Sequence, residues 1–293
     1  MKRISLGTFM FGIAIAFFAL ANGSIVLAQE TKEAKPAEEA KKPAAKVEGD
    51  WGHLTGQIII SGEAPVNKIE DVTGAPAPDK AACLVDGKVP ADDGIVVSDK
   101  KQLRDVYVMM YTGRGAEVPE KFHPSFDELK KVELTLDNQK CRFVPKAVFA
   151  RAGQTLILKN SDTVGHNCHI TTFQQEHNLN IPPKKETKLT LDAADDKVPG
   201  EVRCDIHKWM DSVILIRDNP YVAISDKTGA FRIENIPAGD WEFQFWHKRA
   251  GFLKSIEIKG YEVSRRGVIE ATVEKDKTLD LGVLALPVAA FEE

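Results

Sequence analysis

The stretch Cys204-Asp-Ile-His207-Lys-Trp-Met210 sets a thiol, an imidazole and a thioether within one short segment, and Gly165-His166-Asn167-Cys168-His169 offers a second imidazole upstream. Two imidazoles, one thiolate and a weak, distant thioether are the donor set of a mononuclear copper site that transfers electrons. The soft thiolate suits Cu(I), the imidazoles suit Cu(II), and a thioether held at long range tunes the potential. Cys-x2-His-x2-Met places three donors on one tight loop, so the fourth must arrive from a strand end across the core. Taken singly, each residue has a plainer reading. A loop Met usually packs in the core, an exported Cys is usually half of a disulfide, and a His at a strand end is usually just polar. Their joint occurrence in this order points to metal.

The elements that must hold such a set read as strands. Residues 57–60, 106–110, 133–136, 155–158, 187–191, 213–216 and 241–245 are short, β-branched or aromatic, and bounded by Gly, Pro, Asn and Asp. Short strands separated by turn signals predict an all-β sandwich or barrel. Residues 126–131 have room for one helical turn, and strong helical periodicity is absent elsewhere. Toward the C-terminus, residues 221–224 lead into Ser225-Asp-Lys-Thr-Gly229, a hairpin-type turn, with Phe231-Arg-Ile233 as the return strand. Asn235-Ile-Pro-Ala-Gly239 is a second turn. Asp and Gly supply the backbone conformations such turns need.

Ahead of the body, Lys2 and Arg3 precede an apolar run from about Phe9 to Leu20, and Val26-Leu27-Ala28 is a small-residue cleavage site before Gln29. Residues 1–28 therefore read as a secretory signal peptide, with an uncleaved membrane anchor as the alternative. Residues 29–50 are Ala, Lys, Glu and Pro, too poor in large apolar groups to offset the entropy of ordering, and read as a solvated linker. The expected location is outside the cytoplasm, in the periplasm or cell envelope. Losing Lys2 and Arg3 with the signal takes the 39 basic residues to 37 against 43 acidic ones, a net charge of −6. Neither a basic stripe nor a basic patch interleaved with aromatics appears, which argues against nucleic acid as a partner.

The central segment, about residues 131–218, resembles a cupredoxin of the amicyanin and plastocyanin group, including the type related to methylamine utilisation. The residues that carry the resemblance are Cys141-Arg-Phe143-Val-Pro145, Ala152-Gly153-Gln154 through Asn160, Gly165 through His169, Ile181-Pro-Pro183 and Cys204 through Met210. It implies a Greek-key β-sandwich holding one copper ion that cycles between Cu(II) and Cu(I). On that basis His166, Cys204 and His207 are equatorial ligands and Met210 is axial. His207 would be partly exposed, as the port for electrons. Asn167 would brace the Cys204 loop, and Ile206, Trp209 and Pro145 would form an apolar collar for a docking partner. Cys168 stands where the family has Val.

The run Ser225 through Gly239 resembles the end of a carboxypeptidase regulatory-like (transthyretin-like) β-sandwich, and His53-Leu-Thr-Gly56 through Pro65 resembles its opening. Residues 51–130 and 219–293 are thus expected to be two halves of one split sandwich with the copper segment between them. Two independent β-domains are the alternative.

Strand alternation puts His169 on the face opposite His166 and Cys168 on the same face as His166. Cys168 then reads as a small buried hydrophobe. This leaves Cys83 and Cys141 as the favoured disulfide, with Cys141 and Cys168 as the competing pair. His177 and His247 have no evident partner, and His247 reads as packing.

Structural zinc is disfavoured, since it asks for four closed N/S ligands, commonly with paired Cys spacing. The remaining His are too scattered for a multicopper centre. The expected function is that of an exported carrier of single electrons, not an enzyme, working between a donor and an acceptor redox protein such as a cytochrome or a dehydrogenase. The alternative is a structural or interaction module of the cell envelope with a vestigial or copper-storing site. A copper carrier for delivery to another protein is a third reading.

Overall fold

The computed structural model describes residues 50–65, 77–84, 88, 94–195 and 197–292. The predicted signal peptide and nearly all of the predicted linker lie outside the described residues. The chain is all-β. In order, the strands are β1 (Trp51–Ser61), β2 (Tyr107–Met110), β3 (Leu134–Asn138), β4 (Phe143–Val144), β5 (Ala147–Arg151), β6 (Gln154–Asn160), β7 (His166–Thr171), β8 (Glu176–Ile181), β9 (Glu186–Leu191), β10 (Gly200–Arg203), β11 (Asp211–Arg217), β12 (Val222–Ile224), β13 (Ala230–Pro237), β14 (Gly239–His247), β15 (Gly251–Phe252), β16 (Val268–Val273) and β17 (Thr278–Pro287). Two short helices, α1 (Ala77–Cys83) and α2 (Ser125–Lys130), accompany them. The second occupies the predicted helical turn.

The strands form four sheets, ordered β13-β1-β17, β12-β2-β14-β15 with β16 on β14, β5-β11-β10-β7-β8, and β4-β3-β6-β9. The first two enclose one apolar core, built from residues such as Leu54, Ile58, Val108, Met110, Phe243 and Leu284. The last two enclose another, which contains Leu136, Leu156, Cys168, Cys204, Met210 and Ile214. A third cluster, with Tyr107 and Met109 on one side and Ala147, Val213 and Leu215 on the other, joins the two sandwiches.

Strand alternation explains how one strand serves two cores. Successive side chains point to opposite faces, so Val108 and Met110 enter the first core while Tyr107 and Met109 enter the joint. In β11, Ile214 and Ile216 face the second core while Val213 and Leu215 face the joint. A strand covered on both faces loses its polar alternation and becomes a continuous apolar run, as Tyr107-Val-Met-Met110 is.

Sheet pairing also crosses the chain. β1 pairs with β13 and β17, and β2 pairs with β12 and β14, so strands from before and after the central segment share both outer sheets. The Ser225–Gly229 reading needs correction. β12 pairs with β2 and β13 pairs with β1, so this turn is a corner between two sheets and not a hairpin. Gly229, at φ 72°, lets the corner press against β1, where a side chain would collide with the Ile58 carbonyl.

Candidate metal centre

His166 is the first residue of β7, which lies between β8 and β10. Cys204 follows the last residue of β10, and Met210 precedes the first of β11. These two strands pair antiparallel, with Arg203 opposite Asp211, so the segment between them is a closed loop. The backbone tightens it further. Cys204 N donates to the Met210 carbonyl at 3.1 Å, and Met210 N donates to the His207 carbonyl at 2.8 Å. Three of the predicted donors thus hang from one pair of hydrogen-bonded strands, and the neighbouring strand supplies the fourth.

The side chains converge. His166 Nδ1 lies 3.0 Å from His207 Nδ1, and Cys204 Sγ lies 4.0 and 3.8 Å from the same two nitrogens. All three residues are buried and form a group whose donor atoms lie within 4.8 Å of one another. An ion with bonds of about 2.0 Å to nitrogen and about 2.3 Å to sulfur, in trigonal array, separates S from N by about 3.8 Å and N from N by about 3.5 Å. The observed triangle fits these sulfur–nitrogen separations and is slightly tighter between the nitrogens. Met210 is buried in the same apolar cluster as Cys204. A second grouping, Cys141 with Asp162 and His166, is no thiolate site because Cys141 is bonded to Cys83.

The polar surroundings set the ring orientations. His166 Nε2 is 3.0 Å from Asp162 Oδ2, which turns Nδ1 inward. Asp162 is itself fixed, because its carboxylate accepts the backbone N–H groups of Lys140 at 2.6 Å and Cys141 at 2.8 Å. Asn167 is buried and reaches the ligand loop, where its Oδ1 lies 3.3 Å from Cys204 Sγ and accepts the Asp205 N–H at 2.7 Å. Its Nδ2 donates to Asn178 at 2.8 Å and to Asp205 at 2.9 Å. Partners of this kind orient ligands and tune a bound metal.

The same contacts prepare Cys204 as the thiolate a metal needs, while they leave His166 holding a proton that a metal would have to displace. Burial alone would raise the Cys204 thiol, but hydrogen bonds from His166 and His207, together with backbone donors, bring it down to about 6. Burial alone would lower His166, yet its bonds to Asp162 and to Cys204 lift it to about 9. Cys168 lacks such donors, and burial followed by repulsion from Cys204 pushes its thiol up to about 12. Of the two free cysteines, only Cys204 is primed as a thiolate.

His169 faces away from this group. Its ring nitrogens meet Asp205 at 3.0 Å and Glu176 at 2.8 Å. His177 contacts Gln175 at 3.0 Å. His247 is buried edge-on against Phe291. Cys83 and Cys141 form a disulfide, and this fastens α1 to the loop ahead of β4.

That fastening corrects one expectation. His207 is not partly exposed; its side chain is fully buried. The reason is α1, whose Asp79 carboxylate comes within 3.3 Å of His207 Nε2. Trp209 flanks the same ring at a centroid distance of 5.1 Å and donates its Nε1–H to the Cys141 carbonyl. Of the three collar residues, Ile206 is 47% exposed and Pro145 is exposed, while Trp209 is only partly so. Sequence reasoning missed Asp162 and Asp79. Neither stands at a spacing that marks a ligand partner, and Asp79 lies in a remote segment.

Among solved structures, the chain is similar to a reduced Cu(I) form of an amicyanin variant, at 19% identity over 29% of this chain and 81% of that one, with a TM-score of 0.25. It is similar to a purple cupredoxin from Nitrosopumilus maritimus, at 14% identity over 29% of this chain and 99% of that one, with a TM-score of 0.25. A copper-containing nitrite reductase from Thermus scotoductus overlaps at 16% identity and a TM-score of 0.27, and the match spans 36% of this chain but only 25% of the reductase. No family model and no curated protein matches the chain. Overlaps of this size leave the chemistry to be argued from the site.

Proposed function

We propose that the protein is an exported carrier of single electrons that holds one copper ion at His166, Cys204 and His207, with Met210 as the weak axial donor. The observation that carries this reading is the convergence of two imidazole Nδ1 atoms on a buried, thiolate-prone Cys204 Sγ. When bound, copper supplies a Cu(II)/Cu(I) couple that takes up and gives back one electron. The chain does the rest. The paired strands fix the loop, Asp162 and Asn167 hold the ring and the loop in place, and the apolar core excludes water. A site held this rigidly changes little between redox states, which favours fast transfer over catalysis of a substrate reaction.

In this reading the partners are a donor and an acceptor protein, such as a cytochrome or a dehydrogenase, outside the cytoplasm. The exposed Ile206 beside His207, together with Pro145, offers an apolar place for them to dock.

The test is addition of Cu(II) to the purified metal-free protein, followed by visible and EPR spectra. One equivalent is expected to produce an intense sulfur-to-copper charge-transfer band with narrow copper hyperfine splitting, and Cys204→Ser is expected to abolish it. A band that persists in the serine variant, or a colourless wild type with reduced Cys204, overturns the proposal.

A further inference from the structure

We propose that Asp79 is the positioning residue for His207 and that α1, pinned by the Cys83–Cys141 disulfide, exists to deliver it; this rests on the copper reading above. The starting point is an asymmetry between the two imidazoles. His166 has its outer nitrogen satisfied by Asp162 at 3.0 Å. His207 is fully buried, and its Nε2 has no hydrogen-bond partner among the described residues. The Asp79 carboxylate lies 3.3 Å from that nitrogen, close enough for an ion pair but out of line for a hydrogen bond. A buried ring N–H with no acceptor costs about 1–3 kcal/mol, so a small rotation of Asp79 is downhill.

The helix that carries Asp79 is only seven residues long. Isolated helices shorter than about 12–15 residues are marginal in water, so this one needs an external tether. The disulfide supplies it, and the attachment point is informative. Cys141 donates its backbone N–H to Asp162 at 2.8 Å, and its carbonyl accepts Trp209 Nε1 at 3.3 Å. One residue therefore links the carboxylate behind His166, the indole beside His207 and the helix bearing Asp79.

With Asp79 engaged, both imidazoles are backed by carboxylates and both Nδ1 atoms face Cys204. A carboxylate behind a ligating imidazole fixes its tautomer and raises its basicity. Two such groups in a buried site favour the more highly charged copper state, so Asp79 acts to lower the reduction potential. It also closes the imidazole edge to solvent, so partners exchange electrons through covered protein and not through an open ring.

The experiment uses the full exported chain with its disulfide intact, as wild type, Asp79→Asn and Asp79→Ala. In the metal-free proteins, nitrogen NMR of the histidine rings is expected to place the His207 proton on Nε2 in wild type. Asparagine keeps an acceptor and should preserve that tautomer, whereas alanine should lose it. In the loaded proteins, chelator competition should show affinity lower by about 10–100-fold in the alanine variant, and both variants should have a higher potential than wild type. A wild-type tautomer and wild-type affinity in Asp79→Ala overturn the proposal, as does an unchanged potential in both variants. If wild type shows no thiolate-to-copper band, the electron-carrier reading falls, while the NMR of the metal-free protein still decides the role of Asp79.

Discussion

Asn167 Oδ1 accepts the backbone N–H of Asp205 at 2.7 Å, so a residue of β7 grips the ligand loop immediately after Cys204. Asn167 is buried. Asn167→Ala leaves that N–H without its acceptor, at a cost of about 1–3 kcal/mol. The expected result is a melting temperature lower by several degrees, with a copper spectrum broadened by a looser loop. An unchanged melting temperature and spectrum would show that the grip is incidental.

Tyr107 joins the two sandwiches by a polar contact as well as by packing. Its hydroxyl accepts the Val148 N–H at 2.9 Å and donates to the Val148 carbonyl at 2.8 Å. Complete burial pushes the phenol well above its ordinary value, so it remains a neutral donor. Tyr107→Phe conserves shape and strips these bonds together with a longer one to the Val213 carbonyl at 3.2 Å, and is expected to lose about 1–3 kcal/mol in denaturant unfolding. A loss within error of zero would assign the joint to apolar contact alone.

Acid sensitivity should report on His247. Burial, reinforced by Arg249 and Lys248, lowers this imidazole from 6.5 to about 3. Between those values the unfolded chain binds a proton that the folded chain refuses, so stability falls as the pH drops through this window. At pH 5 the difference amounts to about 2 kcal/mol. His247→Phe is expected to flatten the dependence of unfolding free energy on pH between 6.5 and 4 relative to wild type. Parallel curves for the two proteins would refute the assignment.

The disulfide closes a segment with a sequence separation of 58 residues. By loop-closure entropy such a link contributes about 4 kcal/mol, and measured values commonly run about 2–4 kcal/mol. Replacing Cys83 and Cys141 together by Ala should lower the unfolding temperature and free α1. His207 would then be modified by diethyl pyrocarbonate, as mapped by mass spectrometry, while remaining protected in wild type. Protection in both proteins would mean that α1 holds its place without the bond.

The sequence discloses the donors far better than it discloses what surrounds them. Cys204, His207 and Met210 are legible because a loop between paired strands fixes their geometry through spacing alone. His166 is legible because it opens a strand. Asp162 and Asp79 are not, because a carboxylate behind an imidazole can come from anywhere the chain returns. The seven residues of α1 carry no amphipathic period of useful length. The burial of His207 follows from that helix and so was hidden with it. Among the strands, β17 was obscured by its own irregularity. Leu279 and Leu281 alternate in one phase and Leu284 and Leu286 in the other, because Gly282, at φ 70°, sits in an irregular step of the pairing with β1. The apolar run of β2 was visible as a strand, but its two-sided burial shows only once a second sandwich is stacked upon it.

The parallel pairing of β1 with β17 has a bearing on how the chain comes to be folded. These two strands are far apart in sequence, and their contact closes the sheet that covers the outer core. Contacts of such long range are slow to form, since the intervening chain must be ordered first. A polypeptide emerging gradually from one end cannot complete that sheet until its last strand has appeared. While it waits, the inward-facing side chains of β1 stand uncovered. The period of greatest hazard is therefore the interval between delivery of β1 and delivery of β17, when an exposed, unpaired strand edge is open to the wrong neighbour.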